Sequence, residues 1–62
     1  MRELRTRLSL TQSDVAKAMH VDRTTVSKWE ARQAKPSLEL LIPLAHLYLV
    51  SVEKLIETLI GQ

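Results

Sequence analysis

Sixty-two residues carrying 9 Lys+Arg against 7 Asp+Glu make at most one small domain, here taken as residues 1–62, with a net charge of +2. Cys is absent, which excludes disulfides and thiolate zinc sites and fits the reducing cytoplasm, the expected location. With Gly only at Gly61, no Phe and no Asn-Gly or Asp-Gly turn, hairpins have no support, and the Leu-rich composition predicts an all-α chain of five short helices.

The first predicted helix, roughly Arg2 to Leu8, places Met1, Leu4 and Leu8 on one side. Barely two turns long, it depends on tertiary packing. Thr11 is a good N-cap for a second helix, with Asp14 at the third position, where a carboxylate favours the positive helix end. Val15, Ala16 and Met19 form its inner face, and it ends near His20. Asp22 caps a third helix to about Ala31, with Val26 and Trp29 buried and an otherwise polar surface. The loop Arg32 to Pro36 follows. Ser37 caps a fourth helix to about Tyr48, where Pro43 removes one backbone bond and predicts a kink or a loose first turn. Ser51 caps a fifth helix with Val52, Leu55, Ile56, Leu59 and Ile60 on one face.

Charge is divided unevenly along the chain. Residues 1–35 hold Arg2, Arg5, Arg7, Lys17, Arg23, Lys28, Arg32 and Lys35 against Glu3, Asp14, Asp22 and Glu30. Residues 36–62 hold Lys54 against Glu39, Glu53 and Glu57. A basic half beside an apolar, slightly acidic half points to a polyanion on one side and a protein contact on the other.

The segment between Gln12 and Ala31 carries the functional argument. Its two helices are joined by so few residues that they cross steeply, which requires a small inner residue such as Ala16. Val15, Met19, Val21, Val26 and Trp29 make the apolar underside, and Arg23, Thr24, Ser27 and Lys28 project outward. This is the arrangement of a helix-turn-helix over residues 12–31, whose second helix enters the major groove of double-stranded DNA. The structural alternative is a solvated polar helix face.

The run Leu10-Thr11-Gln12, Val15-Ala16, Val21 through Glu30 and Lys35-Pro36-Ser37 resembles the phage repressor and Cro-type, or XRE, helix-turn-helix family. Leu44-Ala45 and Val50 through Leu55 resemble its fourth and fifth helices, so the likeness covers about residues 2–58. It implies a lambda-repressor-like fold and a sequence-specific transcriptional regulator, a repressor acting as a dimer on a pseudo-palindromic operator. By the same resemblance, Arg23, Thr24, Ser27 and Lys28 read bases, and Thr11, Gln12, Arg32 and Lys35 hold phosphates. Arg5 and Glu30 match a structural salt bridge. The family usually has Gly at four turns where this chain has Ser9, His20, Arg32 and Leu49. Left-handed geometry there implies roughly 1 kcal/mol of strain at each, more at Leu49.

The fourth helix is more apolar than one-sided packing requires, so Leu40, Pro43, Leu47, Val52, Ile56 and Ile60 are expected to include a homodimer contact. An antitoxin-like or accessory protein-binding module is the alternative function. No nucleophile–base or carboxylate pair supports an enzyme, and no cofactor is implied. His20 and His46, 26 positions apart, make no metal site by themselves. The most apolar stretch, Leu38 to Val50, is 13 residues long, short of the about 20 a membrane span needs. No secretory signal pattern is visible.

Overall fold

The computed structural model describes residues 1–60 and is all-α, with no strand among them. The helices are α1 (Arg2–Arg7), α2 (Gln12–Met19), α3 (Arg23–Glu30), α4 (Leu38–Tyr48) and α5 (Val52–Ile60). Four residues join α1 to α2 and three join α2 to α3; α2 and α3 pack on one another, and α4 packs on α2 and α5.

Helix starts follow local chemistry in two different ways. At α2 the Thr11 hydroxyl accepts from the Asp14 amide at 3.0 Å, while Asp14 Oδ2 accepts from the Thr11 amide at 2.8 Å. This reciprocal capping box satisfies two otherwise orphaned donors. Those hydrogen bonds from Thr11 hold the Asp14 carboxyl below its ordinary range. Ser51 Oγ likewise accepts from the Lys54 amide at 3.0 Å and opens α5. Asp22 and Ser37 occupy the cap positions of α3 and α4 without making a side-chain capping bond, contrary to expectation. Their backbones are extended, as a cap requires, and the carbonyl of Asp22 accepts the first turn's amides from Thr25 and Val26.

The four non-glycine turns share one geometry. Ser9, His20, Arg32 and Leu49 all lie in the left-handed region, at φ 60, 58, 62 and 59°. Each is followed by a residue whose amide reaches back five positions: Leu10 to Arg5, Val21 to Ala16, Gln33 to Lys28 and Val50 to Ala45, at 2.9–3.1 Å. This is the Schellman closure of a helix C-terminus. Leu10, Val21 and Val50 are also packed against the core, an apolar contact that commonly accompanies the motif. Backbone hydrogen bonding and burial of the following residue therefore hold the left-handed turn even where a Cβ opposes it.

The core joins Leu4, Val15, Ala16, Met19, Val26, Trp29, Leu41, Leu44, Ala45, Tyr48 and Leu55. Val15, Val26, Leu44 and Leu55 are fully buried, each stabilising the fold by about 1.5–3 kcal/mol through removal of its side chain from water. Ala16 is buried where α2 meets α3, a position at which a larger side chain would force the helices apart. α4 continues through Pro43, so the proline interrupts a hydrogen bond without ending the helix. Both Glu39 and Pro43 are exposed, so a Glu39 carbonyl deprived of the bond from position 43 can turn to water.

Candidate nucleic-acid interface

α3 is anchored from beneath and polar above. Val26 and Trp29 are buried at 0 and 3% exposure, fixing the rotation of the helix about its own axis. That rotation leaves Arg23, Thr24 and Lys28 exposed and Ser27 half-buried. The exposed groups supply a cation at either end of the face with hydroxyl and methyl groups between them. Arg and Lys are the side chains suited to guanine O6 and N7, and a Thr methyl to that of thymine.

The start of α2 lies beside the start of α3. Arg2, Arg5, Thr11, Gln12, Ser13, Arg23 and Glu30 line one open concavity. Thr11 sits at its exposed rim and Gln12 is half-buried. Two side-chain hydrogen bonds occupy Gln12: Nε2 donates to Glu30 Oε1 at 3.0 Å, and Oε1 accepts from Arg23 Nη1 at 3.2 Å. The capping box engages the Thr11 and Asp14 amides at the N-terminus of α2, and the helix dipole adds positive field there. Sequence reasoning treated Arg2 as an ordinary part of α1, yet it lines this concavity. Its signal was available, because Arg2 precedes Arg5 by three residues and so shares its helix face.

Arg5 and Glu30 make a close ion pair. Arg5 Nε donates to Glu30 Oε2 at 2.6 Å and Nη2 to Oε1 at 3.1 Å, a fork-to-fork contact with side chains 10 and 7% exposed. Nη1 donates to the Leu10 carbonyl at 2.9 Å, so the same guanidinium ties α1, the following turn and α3 together. The hydrogen bond to Glu30 raises the Arg5 pKa further above its ordinary value. Burial alone would push the Glu30 carboxyl up, but the hydrogen bonds from Arg5 and Gln12 and the guanidinium charge outweigh it. The net shift is downward.

Arg32 and Lys35 are exposed and do not share the concavity of Thr11 and Gln12. They border a separate recess with Met1, Trp29, Glu30, Ala34, Thr58 and Leu59. The four residues expected at phosphates thus fall into two groups, in separate recesses that both include Glu30 of α3.

The apolar residues proposed for self-association divide as well. Leu40, Leu47, Val52 and Ile56 are half-buried against the core, while Pro43 and Ile60 are exposed. The large apolar side chains most open to solvent are Leu38, Leu49, Ile60 and Ile42, at 79, 76, 64 and 56%. Leu38, Ile42 and Leu49 were absent from the expected contact. Because α4 is apolar nearly all round, its periodicity alone could not distinguish the flank lying against α5 from the flank left open. Among the described residues, no helix is long and apolar enough to cross a membrane, and no group of His, Asp or Glu could hold a metal ion.

Comparison with known proteins agrees with this architecture. The helix-turn-helix family matches residues 1–55. The HTH-type transcriptional activator BcrR of Enterococcus faecalis is 34% identical over 56 residues, covering 90% of this chain. The chain spans 28% of that relative's length. No solved structure matches. Five helices, the α2–α3 crossing and the family match lead to one conclusion: the chain belongs to the XRE-type helix-turn-helix family, a family of DNA-binding transcription regulators.

Proposed function

We propose that this chain is a sequence-specific double-stranded DNA-binding module that regulates transcription, with α3 lying in the major groove. The observation that carries the reading is the polarity of α3: Val26 and Trp29 lock its underside while Arg23, Thr24 and Lys28 stand free of the core on the other face. In this reading Arg23, Thr24, Ser27 and Lys28 select bases. Thr11 and Gln12 engage phosphate on one side of the groove, and Arg32 and Lys35 engage it on the other. The placement of those two pairs in separate recesses supports that division.

A homodimer on a pseudo-palindromic operator is proposed from size and surface. The body measures 24 × 23 × 21 Å, less than the about 34 Å between successive major grooves on one face of DNA. Two recognition helices at that spacing therefore need two copies. Pro43 and Ile60, with the half-buried flank of Leu40, Leu47, Val52 and Ile56, form the proposed contact. Repression follows if the dimer occludes a promoter in the cytoplasm. No catalytic step or cofactor is part of the proposal. The exposed Leu38, Ile42 and Leu49 favour a second reading, an accessory or antitoxin-like module that holds a protein through this apolar half.

Selection from a random duplex pool at about 100 mM salt, where phosphate contacts still contribute strongly, tests both readings. An inverted repeat with half-site centres one helical turn apart is the expected result. A single enriched half-site would keep base reading and remove the dimer. No enrichment by folded protein would remove base reading and favour the protein-binding alternative. Placing the selected site within a promoter then reads the sign of regulation, with lower output expected.

A further inference from the structure

Gln12 stands between the buried ion pair and the first residue of the recognition helix. On one side its Nε2 donates to Glu30 Oε1, and on the other its Oε1 accepts from Arg23 Nη1. Glu30 is held in place by the fork of Arg5, which is itself fixed by the Leu10 carbonyl. These bonds form one continuous path from α1 through the C-terminal end of α3, across the start of α2, to the N-terminal end of α3.

The direction of each bond in the path follows from elementary donor and acceptor chemistry. An ionised carboxylate only accepts, so the end of the Gln12 amide that faces Glu30 must be its NH2. The amide oxygen is then forced outward, where it offers an acceptor to a guanidinium, a group that only donates. A reversed amide would set oxygen against carboxylate and NH2 against guanidinium. Glu30 therefore determines which way Gln12 points, and Gln12 determines where Arg23 finds an acceptor. One guanidinium nitrogen engaged in this way leaves the others free for a base edge.

We propose that Glu30 is a positioning residue for base reading, acting through the orientation of the Gln12 amide on the guanidinium of Arg23. The inference rests on the base-reading role proposed above for Arg23. An exposed arginine otherwise samples many rotamers, and ordering it on DNA opposes binding. A fixed acceptor at its side restricts that freedom before DNA arrives. The ion pair thus contributes to discrimination between bases as well as to folding. In E30Q the new amide can donate to Gln12 Oε1, turning the Gln12 NH2 toward Arg23. The acceptor is lost with little change in shape.

The test measures the affinity of wild type, R23A, Q12M and E30Q for the selected operator and for its variants with every base pair at each position. Discrimination is the ratio of affinities for the best and worst base pair. R23A is expected to lower it roughly tenfold or more at one position. Q12M and E30Q are expected to lower it about three- to tenfold at that same position, without further loss when either is combined with R23A. Q12M leaves the Arg5–Glu30 pair intact, so it carries the test if E30Q unfolds. A purely structural Glu30 would weaken binding to all sequences in parallel and leave the ratios unchanged. Full discrimination in Q12M, with loss in R23A, overturns the positioning role and leaves base reading standing. No effect of R23A at any position overturns both.

Discussion

Replacing Ser9, His20 and Leu49 together by glycine should raise the stability of this domain. All three residues have φ near +60°, where a Cβ crowds the following carbonyl at roughly 1–2 kcal/mol per residue. Glycine removes that strain but gives the unfolded chain more freedom, an offset of about 0.5–1 kcal/mol at each position. Ser9 and His20 are exposed, so little burial is lost with their side chains. Leu49 is 76% exposed, and forfeiting the covered quarter of a leucine removes about 0.5 kcal/mol, which leaves little net gain there. The three sites together should yield about 1–2 kcal/mol, or roughly 4–16 °C in a domain of this size. Arg32 is kept because its guanidinium is one of the proposed phosphate contacts. The assay is thermal unfolding followed by circular dichroism at one fixed protein concentration, since self-association would shift the midpoint. The triple alanine variant is the control, because it removes the same side chains and retains the Cβ. A glycine variant melting at or below the alanine variant would refute the strain argument.

Outcomes at three further positions can be checked on purified protein. E30A should destabilise the domain by about 3–5 kcal/mol, because it leaves the Arg5 guanidinium buried without its carboxylate, and a loss below 1 kcal/mol in denaturant titration would contradict this. Since the folded Glu30 pKa lies below the ordinary 4.5, its stabilisation is present above that pH and is lost as pH falls through the folded value. The acid limb of the stability curve should therefore flatten in E30Q. Y48F should be neutral or stabilising by about 1 kcal/mol, because the fully buried hydroxyl meets no hydrogen-bond partner among the described residues. Burial pushes the Tyr48 phenol up to about 12, so wild type loses stability as pH rises from 10 toward 12 and Y48F should lose less. A drop of more than 1 kcal/mol at neutral pH in Y48F would show that the hydroxyl is bonded. K35A should weaken binding to all duplexes alike and flatten the salt dependence by about one phosphate contact, measured by fluorescence anisotropy across salt concentrations. A change of base preference would contradict that assignment.

Much of the architecture was legible because it repeats at short range. Thr11 and Asp14 are three residues apart, and that spacing is enough to announce a capping box. Val26 and Trp29 set the face of α3 by the same helical arithmetic. Asp22 and Ser37 show where this reading ends, since the sequence identified their cap positions but neither side chain makes a capping bond there. The contact between Gln12 and Glu30 was illegible for a different reason. They lie eighteen positions apart, and only the packing of α2 on α3 brings them together. The open apolar flank of α4 was hidden by an excess of signal, because neighbouring leucines satisfied several packing faces equally.

The burial of Trp29 turns the recognition helix into its own reporter. It is the chain's sole tryptophan, so all indole emission comes from the underside of α3. Enclosed at 3% exposure, the ring should emit toward the blue and move to the red when α3 leaves the core. The exposed side chains of Arg23, Thr24 and Lys28 project from other faces of the same helix. A variant that binds poorly with unchanged emission has lost a contact, whereas one that binds poorly with red-shifted emission has lost the fold.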